Sequence, residues 1–324
     1  MSSRVNMGKI IRNIVTIITF LLFLNVKLYA EPIISGKVFY NYRALLDTTN
    51  YNAFNIERAY LTLSNKISES ISYKVTYDVG KNEAGSSQTA FLKTAMVKWR
   101  TNFGDIIIGM QGMNMFKTME NTWGHRFINK SSMDEFKFSS SADMGIGIAR
   151  SFGSIFSSIL VTNGSGYKNP EDDSHKKISI HTIYGEKKLN KNKGFNIGGS
   201  ISFEPYDFDS VTIKNTNTLS LFSGYSNSYF RGGLELNKRD NNDIKSQIIS
   251  IYGTYNFYKK ISILARLDNV DFNINTSDDN SAIMIIGVHY LIENGFIIAP
   301  TYRFKRISSG RLEKSIIINF QFKF

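Results

Sequence analysis

The chain has 324 residues, 42% hydrophobic and 13% aromatic, with four prolines, no cysteine and a formal charge of +12. The missing cysteines exclude disulfide staples and thiolate chemistry, and positive charges spread along the chain rather than clustered exclude a nucleic-acid surface. A mean hydropathy of −0.19 beside so large an apolar share is what alternation of greasy and polar residues produces.

The first element is not part of the fold. Arg4, Lys9 and Arg12 form a basic head, Ile14 to Leu24 an apolar run, and Leu28-Tyr29-Ala30 a cleavage-like end. The run is too short to span a membrane comfortably and suits a secretory signal, so residues 1–30 are expected to be an export peptide. That segment holds Arg4, Lys9, Arg12 and Lys27 and no acid, which leaves +8 of the +12 on residues 31–324.

Beyond it, strand-like alternation follows almost without interruption. Ile34 to Leu45 sets Val38, Tyr40 and Tyr42 against Lys37, Asn41 and Arg43. Phe54 to Ser64 sets Ala59, Leu61 and Leu63 against Arg58, Tyr60 and Thr62, and the next segment alternates Ile71, Tyr73, Val75 and Tyr77 with Ser72, Lys74, Thr76 and Asp78. Leu92 to Phe103 and Asp105 to Gly112 follow, the first with Lys98 and Arg100 on its polar face. Further strands are predicted near 143–151, 154–163, 176–186, 194–204, 216–225, 228–238, 244–257, 260–269, 281–292, 295–304 and 312–324. The last of these places Ile316, Ile318, Phe320, Phe322 and Phe324 on one face and Asn319, Gln321 and Lys323 on the other. Side chains of a strand alternate between faces. In a soluble sandwich such a final strand would be an aggregation-prone edge, whereas a closed barrel in lipid leaves no edge.

The reading is therefore all-β: one transmembrane antiparallel β-barrel of about 16 strands over 31–324, with short periplasmic turns and longer extracellular loops. The connections sort as long, short, long, short, which a soluble sandwich has no reason to do. The longest, about 113–141, is the third on the long side and carries Trp123, His125, Arg126 and Lys130. A connection of that length in a compact domain is usually functional, and it is expected to fold into the lumen, with Arg126 and Lys130 as constriction residues.

Several stretches resemble the phosphate-selective porins (the porin O and P type). They are Phe54, Ile56, Arg58, Ala59, Tyr60 and Leu61 with Tyr73, Lys74 and Asp78; Val97, Lys98 and Trp99 with Gly104 and Ile108-Gly109-Met110-Gln111; Ser141-Ala142-Asp143-Met144-Gly145; Thr162-Asn163-Gly164-Ser165-Gly166; and Ala265-Arg266-Leu267-Asp268. The resemblance covers most of 31–324 and is densest over 54–166. It implies a sixteen-stranded trimeric anion channel of the bacterial outer membrane. The terminal Phe324 also resembles the signal read by the outer-membrane assembly machinery.

The expected pore-lining cations are Lys37, Arg43, Arg58, Lys74, Lys98, Arg100, Arg231, Arg266, Arg303 and Lys323, with Asp78, Asp105, Glu235 and Asp268 on the same parity. Charge rings of one sign select ions, so small anions are the expected permeants. The family's dense arginine ladder does not align residue by residue, which leaves phosphate specificity to the resemblance. No cofactor or metal site and no enzymatic activity are expected. His125, His175, His181 and His289 lack metal-ligand spacing, Gly145-Ile146-Gly147 has no third glycine of a dinucleotide loop, and Asn163-Gly164-Ser165-Gly166 lacks the first glycine of a nucleophile elbow. Two alternatives stay open: a barrel with a closed lumen serving adhesion or assembly, and a membrane hydrolase whose triad is dispersed in sequence.

Overall fold

A strand whose side chains alternate between lipid and water must satisfy its backbone sideways, and a closed cylinder does this with no edge left over. The computed structural model describes residues 31–46, 51–80, 88–171, 173–308 and 310–324, and the expected export segment 1–30 lies outside them. Sixteen antiparallel strands close into one barrel, each hydrogen-bonded to its sequence neighbours and β1 to β16. They are β1 Ile33–Leu45, β2 Asn52–Lys66, β3 Ile71–Gly80, β4 Thr89–Thr101, β5 Gly104–Gly112, β6 Ala142–Phe152, β7 Ile155–Thr162 and β8 Lys177–Gly185. The second half runs β9 Gly194–Asp207, β10 Ile213–Ser226, β11 Phe230–Asn241, β12 Ile244–Tyr258, β13 Ile261–Asp271, β14 Ser281–Glu293, β15 Phe296–Arg306 and β16 Leu312–Lys323.

The seam joins Lys37 opposite Lys323 and Tyr40 opposite Phe320, whose rings stack 4.7 Å apart. Gly36 exchanges backbone hydrogen bonds of 3.0 and 3.2 Å with Phe324. A side chain at Gly36 would collide with the Phe324 ring, so glycine is what admits the last aromatic to the seam. The greasy parity faces outward all round: Phe54, Leu61, Ile108, Ile197, Ile251 and Ile316, from five different strands, are exposed. No helix among the described residues is long and apolar enough to cross a membrane.

Among the described residues four bulges reset the parity, two at Phe257 of β12 and Ile292 of β14 and two in the first four strands. One lies in β2 at Glu57, between the pairs Phe39–Arg58 and Tyr40–Ile56. The other lies in β4 at Lys93, between Thr76–Thr94 and Tyr77–Leu92. The extra residue of a bulge goes unpaired and turns the strand. One predicted long loop is a tight turn instead: β11 and β12 are separated only by Asn242 and Asp243, with Asn242 at φ 49°. Asparagine tolerates this left-handed conformation.

The third long connection, 113–141 (L3 below), enters the barrel. It carries two short helices, α1 Lys117–Trp123 and α2 Ser132–Glu135. Gly124 ends α1 in the left-handed conformation at φ 72°, and its N–H donates to the Glu120 carbonyl, a helix stop that suits glycine.

Candidate functional site

L3 is held by two apolar clusters that face inward. Met115, Phe116, Met119, Met133 and Phe138 of the loop pack on Ile183, Phe222, Ile248 and Val270 of β8, β10, β12 and β13. Trp123, Phe127 and Ile128 pack on Phe39 of β1 and on Tyr252, Leu264, Ile283, Ile285, Ile297 and Ala299 of β12–β15. Each large apolar side chain so removed from water contributes about 1.5–3 kcal/mol. Strands β2–β6 give the clusters only the half-buried Tyr60. The loop therefore leans on one side of the cylinder, away from β2–β6.

Three of the expected pore-lining arginines hold this loop. Arg231 donates to the Trp123 carbonyl (3.1 Å) and to His125 Nε2 (3.0 Å). Arg303 donates to the Ile128 carbonyl (2.9 Å) and to Asn129 Oδ1 (3.2 Å). Arg266 donates to the Lys130 carbonyl (2.6 Å) and pairs with Asp268 at 2.8 Å, both side chains wholly buried. Arg266 is thus sealed beneath L3, over the rings of Trp123 and Tyr252, rather than presented to the pore. Polarity predicts the face a residue takes, but a folded-in loop converts part of that face into core.

The other seven cations face the remaining lumen by register. Lys37 and Lys323 meet across the seam. Arg43 is bridged to Glu313. Lys98 pairs with Asp105 at 2.5 Å, and Arg100 lies 3.9 Å from the same carboxylate. Lys74 stands opposite Ser64 of β2. Arg58 lies 3.6 Å from Asp78, which is fully buried and also accepts from Lys93 (3.3 Å) and from the Tyr167 hydroxyl (2.8 Å). Tyr167 belongs to the β7–β8 loop, so Asp78 ties that loop to the wall. Burial first, then Asp78, pushes the Tyr167 phenol above its ordinary value, which keeps it a donor.

In the loop itself, Arg126 bridges Glu120 (3.3 Å) and Asp134 (2.8 Å). Burial works against the Arg126 charge, but Tyr60, Glu120 and Asp134 outweigh it and raise the group above its ordinary value. Burial likewise opposes ionisation of Glu120, and Lys117 and Arg126 outweigh it and hold the carboxyl below the usual range.

Two adjoining cavities of about 430 and 510 Å³ occupy the lumen beside L3. The residues common to both are Arg58, Arg126, Lys130 and Lys168, and every one is cationic. Sequence reasoning missed Lys137, Lys168, Lys177 and Arg239 in the cavity linings and Lys93 on Asp78 beside them. Lys168 sits in a loop without periodicity and Lys93 on a bulge. Arg239 continues β11 one residue past its predicted end and lines the larger cavity. The Phe91-Leu92-Lys93-Thr94 break in alternation was the available signal for Lys93.

Among the described residues no histidine is hydrogen-bonded to both a serine and a carboxylate side chain: His175 pairs with Asp207 and His181 with Ser200. His125 and His289 rings lie 5.2 Å apart, and His125 Nε2 contacts Thr254 and Arg231 but no carboxylate. Among the described residues no group of three His, Cys, Asp or Glu could hold a metal ion. Burial first, then Arg231 and His289, pushes His125 well below the ordinary imidazole value of 6.5. A depressed histidine contributes stability that is complete above its unfolded value and declines as pH falls below it. Anchorage of L3 is accordingly expected to weaken on acidification below pH 6.5. Limited proteolysis within 113–141 at pH 7.5 and pH 5 reads this out, with faster cleavage at the lower pH under matched protease activity. Equal rates would remove His125 from the anchorage.

No family model matches the sequence, and no curated protein matches it. Solved structures do match in fold. The outer membrane channel DcaP of Acinetobacter baumannii gives a TM-score of 0.69 at 10% identity, covering 92% of this chain and 98% of that one. The anion-selective porin from Comamonas acidovorans gives 0.67 at 10% identity, covering 91% and 99%. A trimer form of OmpT, an outer membrane protein of Vibrio cholerae, gives 0.60 at 12% identity, covering 91% and 99%. At such identities the likeness concerns architecture, and it places this chain among closed antiparallel barrels with the fold of outer-membrane porins.

Proposed function

We propose that this barrel is a passive-diffusion porin of a bacterial outer membrane that prefers small anions, phosphate among them, and is not an enzyme. One observation carries the reading: the four side chains shared by the two lumen cavities, Arg58, Arg126, Lys130 and Lys168, are all positive. A narrow, low-dielectric passage focuses the field of such a group and concentrates counter-ions. Arginine suits phosphate because its planar fork matches two oxygens at once. The resemblance of 54–166 to phosphate-selective porins and the fold shared with an anion-selective porin support the same reading. Export by residues 1–30, insertion through recognition of the strand ending at Phe324, and homotrimeric assembly complete it. The trimer form of a structural neighbour favours that assembly.

Reversal potential in a salt gradient across a planar bilayer tests the proposal, and wild-type preference for cations would overturn it. Lys130→Glu with Lys168→Glu exchanges two positive charges for two negative ones at the shared boundary. Focusing of this kind is worth ten- to a thousandfold, so the anion-to-cation permeability ratio is expected to fall by about tenfold or more. A folded barrel that gives no stepwise conductance would favour the closed-lumen reading.

A further inference from the structure

A third cavity, of about 260 Å³, lies between α1 and the wall formed by β5–β8. Its walls are apolar, with Ile107, Ala149, Phe156 and Leu160 prominent among them. The two larger cavities beside L3 are lined mainly by polar and charged side chains, and this one differs from both. The floor is the connection between β8 and β9, residues 186–193, the longest on the short-turn side. It is fixed from below: Leu189 is buried, and Asn121 of α1 donates to the Lys187 carbonyl at 3.2 Å. The roof is fixed too, because His181 bridges Thr118 of α1 (3.0 Å) and Ser200 of β9 (2.8 Å).

Three lysines line this cavity, Lys117, Lys187 and Lys188, and no carboxylate does. Lys187 places its ammonium 3.7 Å from the centre of the Phe156 ring. Lys117 is bonded to Glu120, and the Lys188 backbone to Glu186, so Lys187 is the cation turned most directly toward the apolar wall. Binding pockets for drug-sized molecules run from about 300 to 1,000 Å³. A slightly smaller one takes a single ring with a short substituent.

We propose that this cavity is a binding site for small aromatic monocarboxylates, entered from the side of the barrel that carries the short turns. The ring would lie against Leu160, Ile107 and Ala149, and the carboxylate would meet the Lys187 ammonium above Phe156, with Lys188 beside it. The proposal rests on the porin reading for its role, which is to favour such anions among those that diffuse through. An apolar wall and a cationic rim together select against two simpler classes, compact anions without a ring and rings without negative charge.

The test uses the full barrel folded in a non-ionic detergent and titrated calorimetrically with benzoate, acetate and benzylammonium. Benzoate is expected to bind at least about tenfold tighter than either of the others, one decade in the equilibrium constant. Acetate equal to benzoate would reduce the site to bare electrostatics, and benzylammonium equal to benzoate would reduce it to a greasy hole. Either result overturns the proposal. Two variants guard against unfolding as an explanation. Ala149→Leu fills the cavity from the wall, and Lys187→Gln with Lys188→Gln alters only the turn. Each is expected to lower benzoate affinity by about tenfold, and full affinity in both would overturn the assignment. Bilayer recording separates the two readings. A barrel that binds benzoate yet conducts nothing keeps the site and loses the porin, whereas a conducting barrel blind to benzoate loses the site alone.

Discussion

Asp268→Ala should destabilise the barrel by about 3–5 kcal/mol, the cost of stranding a buried charge without its partner. The carboxylate is wholly buried and receives two Arg266 Nε contacts of 2.9 Å and a Ser250 hydroxyl at 2.5 Å. Arg266 would remain between Trp123 and Tyr252 with its charge uncompensated, and its hold on the Lys130 carbonyl would loosen. Urea unfolding followed by heat-dependent gel mobility measures the loss, and single-channel conductance should rise and grow noisy as L3 detaches. Replacing both charges by hydrocarbon, Arg266→Met with Asp268→Leu, should cost much less than the single change. A loss under about 1 kcal/mol in Asp268→Ala, the range of an exposed pair, would show that the pair does not anchor the loop.

Asp78→Asn should raise the anion-to-cation permeability ratio of the proposed pore while weakening the structure. Asp78 Oδ2 is the shared focus of Lys93, Tyr167 and Arg58. An amide keeps the shape and removes the charge, so two cations that now share a carboxylate would face the lumen unneutralised. The stability cost is expected at about 3 kcal/mol, the low end for breaking a buried pair, because Arg58 and Lys93 are each partly solvated. The β7–β8 loop, losing its tie through Tyr167, should be cut sooner by protease at 163–171. Reversal potential and proteolysis are independent readouts. An unchanged potential together with an unchanged cleavage rate would remove Asp78 from both roles.

The barrel was legible because lipid and water impose one rhythm on every strand, and sorted loop lengths gave its orientation. The boundaries of L3 followed because alternation stops at Gly112 and resumes at Ala142. The loop's resting place was not legible, since inward positions were assumed to be polar. In β14, Ile283 and Ile285 point inward while Ile286 points out, and in β12 Ile248 points in while Ile249 points out. Strands greasy on both faces are buried on both faces, and the run Ile283-Met284-Ile285-Ile286 held that information. Which lysines and arginines would be consumed in pairing depended on contacts between strands distant in sequence. Register alone gives neither Arg58 with Asp78 nor Arg43 with Glu313, since Asp78 stands opposite Tyr60 and Arg43 opposite Ile317, and bulges that composition does not announce shift the register further.

Because L3 is clamped to β8–β15 and to Phe39 of β1, the barrel is occluded off its axis. A solute passing it, on the proposed porin reading, would be sized by the gap beside the loop and not by the circumference of the barrel.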